Sequence, residues 1–183
     1  MKNKQIIPMC IAILLCFCFA QCKKTNTPSP TDQLPPTTQT VANTFGCLVN
    51  GKVYVPKGSS GTGSPNPKPI YDIGLNGVPN LLINANQYEN NDQIGNFELF
   101  IDSISQNRIQ TINIVGKQFG FGSTAFLGCG FLRSDTILFK KGAIYITKYD
   151  QISRIVSGTF NIKIKPNNCD TLFFTDGRFD LKL

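Results

Sequence analysis

The chain has 183 residues, 41% hydrophobic and 16% charged, with 7 Cys and neither His nor Trp. The missing histidine excludes Ser-His-Asp and Cys-His nucleophile systems, His-ligated zinc and HExxH hydrolysis, and so low a charged fraction argues against a disordered polyelectrolyte. The formal charge of +7 is spread along the sequence, with Lys140-Lys141 the only adjacent basic pair behind Lys24, so no basic stripe for reading nucleic acid is expected.

The N-terminus reads as an export signal over residues 1–21. Lys2 and Lys4 precede an apolar run at residues 6–20. As a helix that run is about 22 Å long at ~1.5 Å per residue, short of the ~30 Å hydrocarbon core of a bilayer, which fits a signal-peptide h-region and not a membrane span. The run closes on Ala20-Gln21-Cys22-Lys23-Lys24. A Cys at that position followed by polar sequence resembles a bacterial lipobox, which implies cleavage before Cys22, acylation of its thiol and freed amine, and stable anchoring by more than one chain. Gln21 and Phe19 depart from the small residue and the Leu usual there. The alternative is an ordinary secreted protein cleaved nearby. Removing residues 1–21 takes away two lysines and no acid, leaving +5. Lys23 rather than Asp after Cys22 implies, by analogy with other lipoproteins, the outer membrane, on either its periplasmic or its surface side.

Residues 22–43 hold six Thr and four Pro and are expected to form an extended tether that cannot bury a core. At ~3.1 Å per residue, 21 residues reach at most about 65 Å.

Residues 44–183 are expected to be all-β, since period-two apolar alternation recurs between turn residues. Asn50-Gly51 predicts a hairpin between 47–49 and 53–55. Residues 56–69 read as a Gly/Ser/Pro-rich loop, then strands follow at 81–88, 97–101 and 109–115. A turn at Lys141-Gly142 is predicted to join strands 136–139 and 143–149. Phe160, Ile162 and Ile164 alternate with Asn161, Lys163 and Lys165, as a sheet with one wet face requires. Asp176-Gly177 is predicted to turn the chain into a last strand with Phe179, Leu181 and Leu183 inward. The pattern predicts an antiparallel sandwich or barrel of about eight to ten strands.

Three cysteines remain in this domain, Cys47, Cys129 and Cys169. An exported chain meets an oxidising compartment. Three single pairings are open; Cys129 with Cys169 is preferred, because both lie in Gly/Asn-rich connections, while Cys47 falls within a strand. Three cysteines without His or CxxC spacing predict no metal site, and no cofactor is expected: the GxGxxA match at residues 120–125 has no following helix, and the Gly-rich residues 58–64 lack the Lys of a phosphate-binding loop.

Ile155-Val156-Ser157-Gly158-Thr159-Phe160, Cys169-Asp170-Thr171 and Thr175-Asp176-Gly177-Arg178-Phe179-Asp180, with the opening Phe45-Gly46-Cys47-Leu48-Val49-Asn50-Gly51-Lys52, resemble a family of uncharacterised Bacteroidota lipoproteins. The resemblance implies localisation and fold class and assigns no chemistry. Asp102-Ser103-Ile104, Asp135-Thr136-Ile137 and Asp170-Thr171-Leu172 resemble the Asp-Ser/Thr-aliphatic O-glycosylation signal of the same phylum, implying glycan on Ser103, Thr136 or Thr171; the plainer reading is turn polarity at strand ends.

Asp176, Arg178 and Asp180 stand at alternate positions, a spacing that lets the guanidinium sit between two carboxylates as a small ligand site. Against this stands a hairpin turn with a solvated strand face. The expectation is therefore a membrane-anchored, non-catalytic binding or structural β-domain with an unknown protein or glycan partner and no nucleic acid. The alternatives are an acid-residue enzyme such as a glycoside hydrolase, or a secreted adhesin or inhibitor.

Overall fold

The structure, a computed structural model, describes residues 28–75, 77–106, 109–112, 119–123, 130–131, 137–167 and 169–183. After a short 3-10 turn at Pro30–Gln33, the chain forms β1 (Thr44–Val49), β2 (Lys52–Tyr54), β3 (Lys68–Ile73), β4 (Pro79–Asn84), β5 (Gln87–Glu89) and β6 (Asp92–Ile101). It continues through β7 (Ile109–Ile112), β8 (Phe119–Ser123), β9 (Gly130–Phe131), β10 (Ile137–Asp150), β11 (Ile155–Pro166) and β12 (Leu172–Lys182). One sheet has the order β2-β1-β12-β11-β10-β7, and the other β3-β4-β6-β8-β9 with β5 also paired to β6. Every strand pairing is antiparallel. The two sheets pack as a β-sandwich, as the alternation predicted, with twelve strands among the described residues instead of eight to ten. No helix of the described residues is long and apolar enough to cross a membrane.

Phenylalanine builds the core. Phe97 on β6 projects from the second sheet into a ring of aromatics from the first: Phe45 at 4.7 Å, Phe160 at 5.6 Å, Phe174 at 5.8 Å and Tyr54 at 5.9 Å between centroids. Phe121 closes the cluster against Phe174 at 5.1 Å. Tilted and edge-on pairs of this kind add about 0.5–1.5 kcal/mol each beyond area burial. Leu81, Ile83, Leu99 and Ile101 face inward from the second sheet, and Ile144, Ile146, Ile162, Ile164 and Leu181 from the first. Tyr54 buries its ring and donates its hydroxyl to the Ala85 carbonyl at 2.8 Å, a hydrogen bond that crosses between the sheets.

The Asn50-Gly51 hairpin forms as expected, with φ of 49° and 78°. Two other turns do not. Lys141-Gly142 lies inside β10, which runs unbroken while Gly142 pairs with Ile112 on one side and Ile162 on the other. The chain reverses instead at residues 151–154, where the Asp150 carboxylate accepts the backbone N–H groups of Ile152 and Ser153 at 2.9 and 3.0 Å. Asp176-Gly177 is likewise no hairpin. β12 continues through it, and the register against β11 and β1 slips by one residue on the β12 side, a β-bulge with Asp176 at φ 53°. The bulge reverses the inward and outward phase: Leu172 and Phe174 face the core before it, Phe179 and Leu181 after it. Gly177 is required there, because a Cβ would run into the Phe160 ring.

The segment expected to be a free tether is also changed. Leu34 is buried, and Pro35 packs over Gly46, where an added Cβ would lie 2.7 Å from the proline ring. Residues 34–43 form a strap across the outer face of β1 and β12. The folded unit therefore begins about ten residues earlier than Thr44.

Candidate functional site

The outward residues of β12 after the bulge are Arg178, Asp180 and Lys182. Asp180 lies opposite Ser157 of β11. A carboxylate on an outer sheet face is normally wet, but Asp180 is only 1% exposed because the strap covers it. One carboxylate oxygen accepts Thr38 Oγ1 at 2.6 Å, the Thr40 N–H at 2.9 Å and the Ala42 N–H at 3.1 Å; the other accepts the Val41 N–H at 3.2 Å and Ser157 Oγ at 2.8 Å. Three successive backbone N–H groups converge on one anion because Val41 has φ 64°, which turns the strap into an anion-binding nest. Burial is the largest single influence on Asp180 and pushes its carboxyl up, but the hydrogen bonds from Thr38, Ala42, Thr40 and Ser157 together outweigh it and hold the group below the ordinary carboxylate range.

The expected ion cluster is thus dispersed. Arg178 does not bridge two carboxylates. Its Nε donates to the Asp176 carbonyl at 3.1 Å and its Nη1 to the Pro35 carbonyl at 3.4 Å. Asp176 is exposed, with its N–H on Asn161 Oδ1. Two of the three serve as a clasp: Asp180 and Arg178 hold the strap, and Lys148 joins them through the Gln39 carbonyl at 3.3 Å. With five donors on its oxygens, Asp180 is in no position to act as a base or nucleophile.

Beside the clasp the strap, β1 and the loop after β2 enclose a groove of about 350 Å³. Its walls include Leu34, Pro35, Phe45, Val55, Asn43 and Asn66, with no charged residue. Asn66 braces the loop, its amide donating to the carbonyl of Asn86 at 2.9 Å and its Oδ1 accepting the Asn86 N–H at 2.9 Å. The volume is at the lower end of small-ligand pockets.

Cys22, Cys129 and Thr136 lie outside the described residues. Cys47 is free and fully buried in β1, and burial pushes its thiol well up, away from the reactive thiolate. Cys169 is half-buried against the core, and its carbonyl accepts Lys165 Nζ at 2.7 Å. Ser103, at φ 52°, leaves β6 and takes a 3.4 Å hydrogen bond from its N–H to Asn80 Oδ1; Thr171 immediately precedes β12. Both are half-buried at strand ends. Among the described residues no group of three Cys, Asp or Glu is placed to hold a metal ion.

Sequence reasoning missed the strap residues Thr38, Thr40, Val41 and Ala42 and their partner Ser157. The one available signal was Leu34, an isolated large aliphatic in a Thr/Pro-rich stretch. No family model, curated protein or solved structure matches the chain.

Proposed function

We propose that the protein is a lipid-anchored cell-envelope β-domain, held at the outer membrane through Cys22 and acting as a non-catalytic binding or structural module. The observation that carries this reading is the order Lys2, Lys4, a 15-residue apolar run, then Cys22 followed at once by Lys23-Lys24. The strap supports it. Pro30–Gln33 form a 3-10 turn and Leu34 is fastened to the sandwich, so only residues 23–29 are left as leash. Eight steps from Cys22 to Pro30 at ~3.1 Å each give about 25 Å, in place of the 65 Å of a wholly free tether. The buried acid Asp180 is saturated by donors.

Pairing of Cys129 with Cys169 belongs to the same proposal, as an exported chain would form it during folding; non-reducing peptide mapping reads it directly. Glycan on Ser103, Thr136 or Thr171 is read by the intact mass of the native protein. Anchoring is tested by metabolic labelling with a fatty acid in a bacterial host. The natural chain takes label and Cys22→Ala does not. Equal labelling of both, or of neither, defeats the proposal.

A further inference from the structure

Basic residues that are scattered in the sequence are gathered by the strand register onto the outer face of the first sheet. In β10 the buried Ile144 and Ile146 leave Lys141 and Tyr145 outward; in β11 the buried Phe160, Ile162 and Ile164 leave Lys163 and Lys165 outward; in β12 Phe173, Arg178 and Lys182 face the same way. Lys141 stands directly opposite Lys163, and Lys163 directly opposite Phe173. Like charges facing each other across strands destabilise a sheet, so folding alone does not account for the pair. Lys163 Nζ lies over the Phe173 ring at 5.1 Å. Phe173 is 44% exposed and Tyr145 38%. With Lys148, six cations occupy this face against four carboxylates: Asp150, Asp176, Asp180 beneath the strap, and Asp170, which lies 3.9 Å from Lys165. The outer face of the second sheet carries the opposite balance: Lys68, Asp72 and Glu98 lie on the side away from the buried Leu81, Ile83, Phe97 and Leu99.

We propose that this face, Lys141, Lys163, Lys165 and Lys182 with Phe173 and Tyr145, rests on an anionic lipid surface as a second, electrostatic membrane contact beside the acyl anchor. Lysines supply long-range attraction to phosphate-bearing headgroups, and half-exposed aromatics are the side chains suited to the headgroup layer. The geometry agrees. The strap lies over this same sheet, on β1 and β12, so the segment that leads back to Cys22 leaves from the sheet that carries this face. The inference rests on the anchoring proposal for its biological setting, but its chemistry is independent of acylation.

The test uses residues 23–183, unacylated, which keep the strap and all twelve strands. Binding to phosphatidylcholine vesicles with and without phosphatidylglycerol is measured at low and high salt. Binding that requires phosphatidylglycerol and fades with salt is expected. The double variant Lys141→Gln/Lys163→Gln is expected to bind about 30-fold more weakly, ~5-fold per lysine, with a Tm equal to or above that of the parent because the facing charges are gone. Lys57→Gln/Lys68→Gln, on other surfaces, leaves binding unchanged. No dependence on phosphatidylglycerol, or equal loss in both double variants, overturns the proposal. So does binding to a DNA duplex with none to vesicles. Because the sample carries no acyl chain, failure here leaves the Cys22 labelling result untouched, and loss of labelling leaves this result untouched.

Discussion

Replacing Asp180 by Asn is the sharpest probe of the strap. The amide keeps the size of the carboxylate but offers one oxygen to five donors. If its NH2 takes the place of the oxygen that accepts Val41 N–H and Ser157 Oγ, the serine hydroxyl rotates to accept, and the Val41 N–H is left facing a donor. The opposite orientation strands Thr40 N–H and Ala42 N–H and is worse. One buried donor without an acceptor costs ~1–3 kcal/mol, and three remaining bonds lose their charge assistance; the sum is about 3 kcal/mol. For a chain of this size that lowers Tm by about 10 °C. The loss is also pH-dependent. The folded carboxyl titrates below its unfolded value of ~3.9, so its stabilisation is complete above that pH and disappears as pH falls through the folded value. Thermal unfolding of both proteins followed by circular dichroism at pH 7, and stepwise down to the acid limit, should show curves that converge only in acid. Limited proteolysis at pH 7 should cut Asp180→Asn within residues 34–43 first. A variant with unchanged Tm at pH 7, or a difference that persists below the folded titration, refutes the clasp.

Gly177→Ala forces a methyl group into the Phe160 ring and should cost about 1–3 kcal/mol, read from urea unfolding; a smaller effect means the bulge has slack. Val41→Gly should be about 0.5 kcal/mol more stable or neutral, since it removes a β-branched residue from φ 64° at a cost in chain entropy smaller than the strain. The same change at an ordinary extended position would destabilise. Cys47 should resist iodoacetamide in the folded protein and react fully in denaturant, as mass spectrometry would show, because its thiol is buried and held protonated. Tyr54→Phe should lose about 1 kcal/mol with the Ala85 hydrogen bond between the sheets.

The sandwich was legible because its code is local. Phe160, Ile162 and Ile164 alternate with polar neighbours, Leu81, Ile83, Phe97 and Leu99 keep the same period of two, and each is buried. The break in that phase between Phe174 and Phe179 was also legible, but its cause was not: a hairpin turn and a one-residue bulge reverse the pattern alike, and only the pairing of β12 with both β1 and β11 decides for the bulge. Lys141-Gly142 misleads for the same reason, since a glycine inside a long strand and a glycine in a turn look identical in one dimension. The true reversal, Gln151-Ile152-Ser153-Arg154, contains neither Gly nor Pro and draws its turn from Asp150. The clasp and the basic face were out of reach because both depend on residues far apart in sequence. Asp180 meets Thr38 across 142 positions, and Lys141 meets Lys163 only through strand register.

Anchoring at the membrane depends on the fate of Cys22. Mass spectrometry of the N-terminal peptide from the native envelope protein tests it most directly. The expected species begins at Cys22 and carries a diacylglyceryl thioether with a further acyl chain on its amine. A peptide that begins at another residue, or an unmodified Cys22, contradicts it.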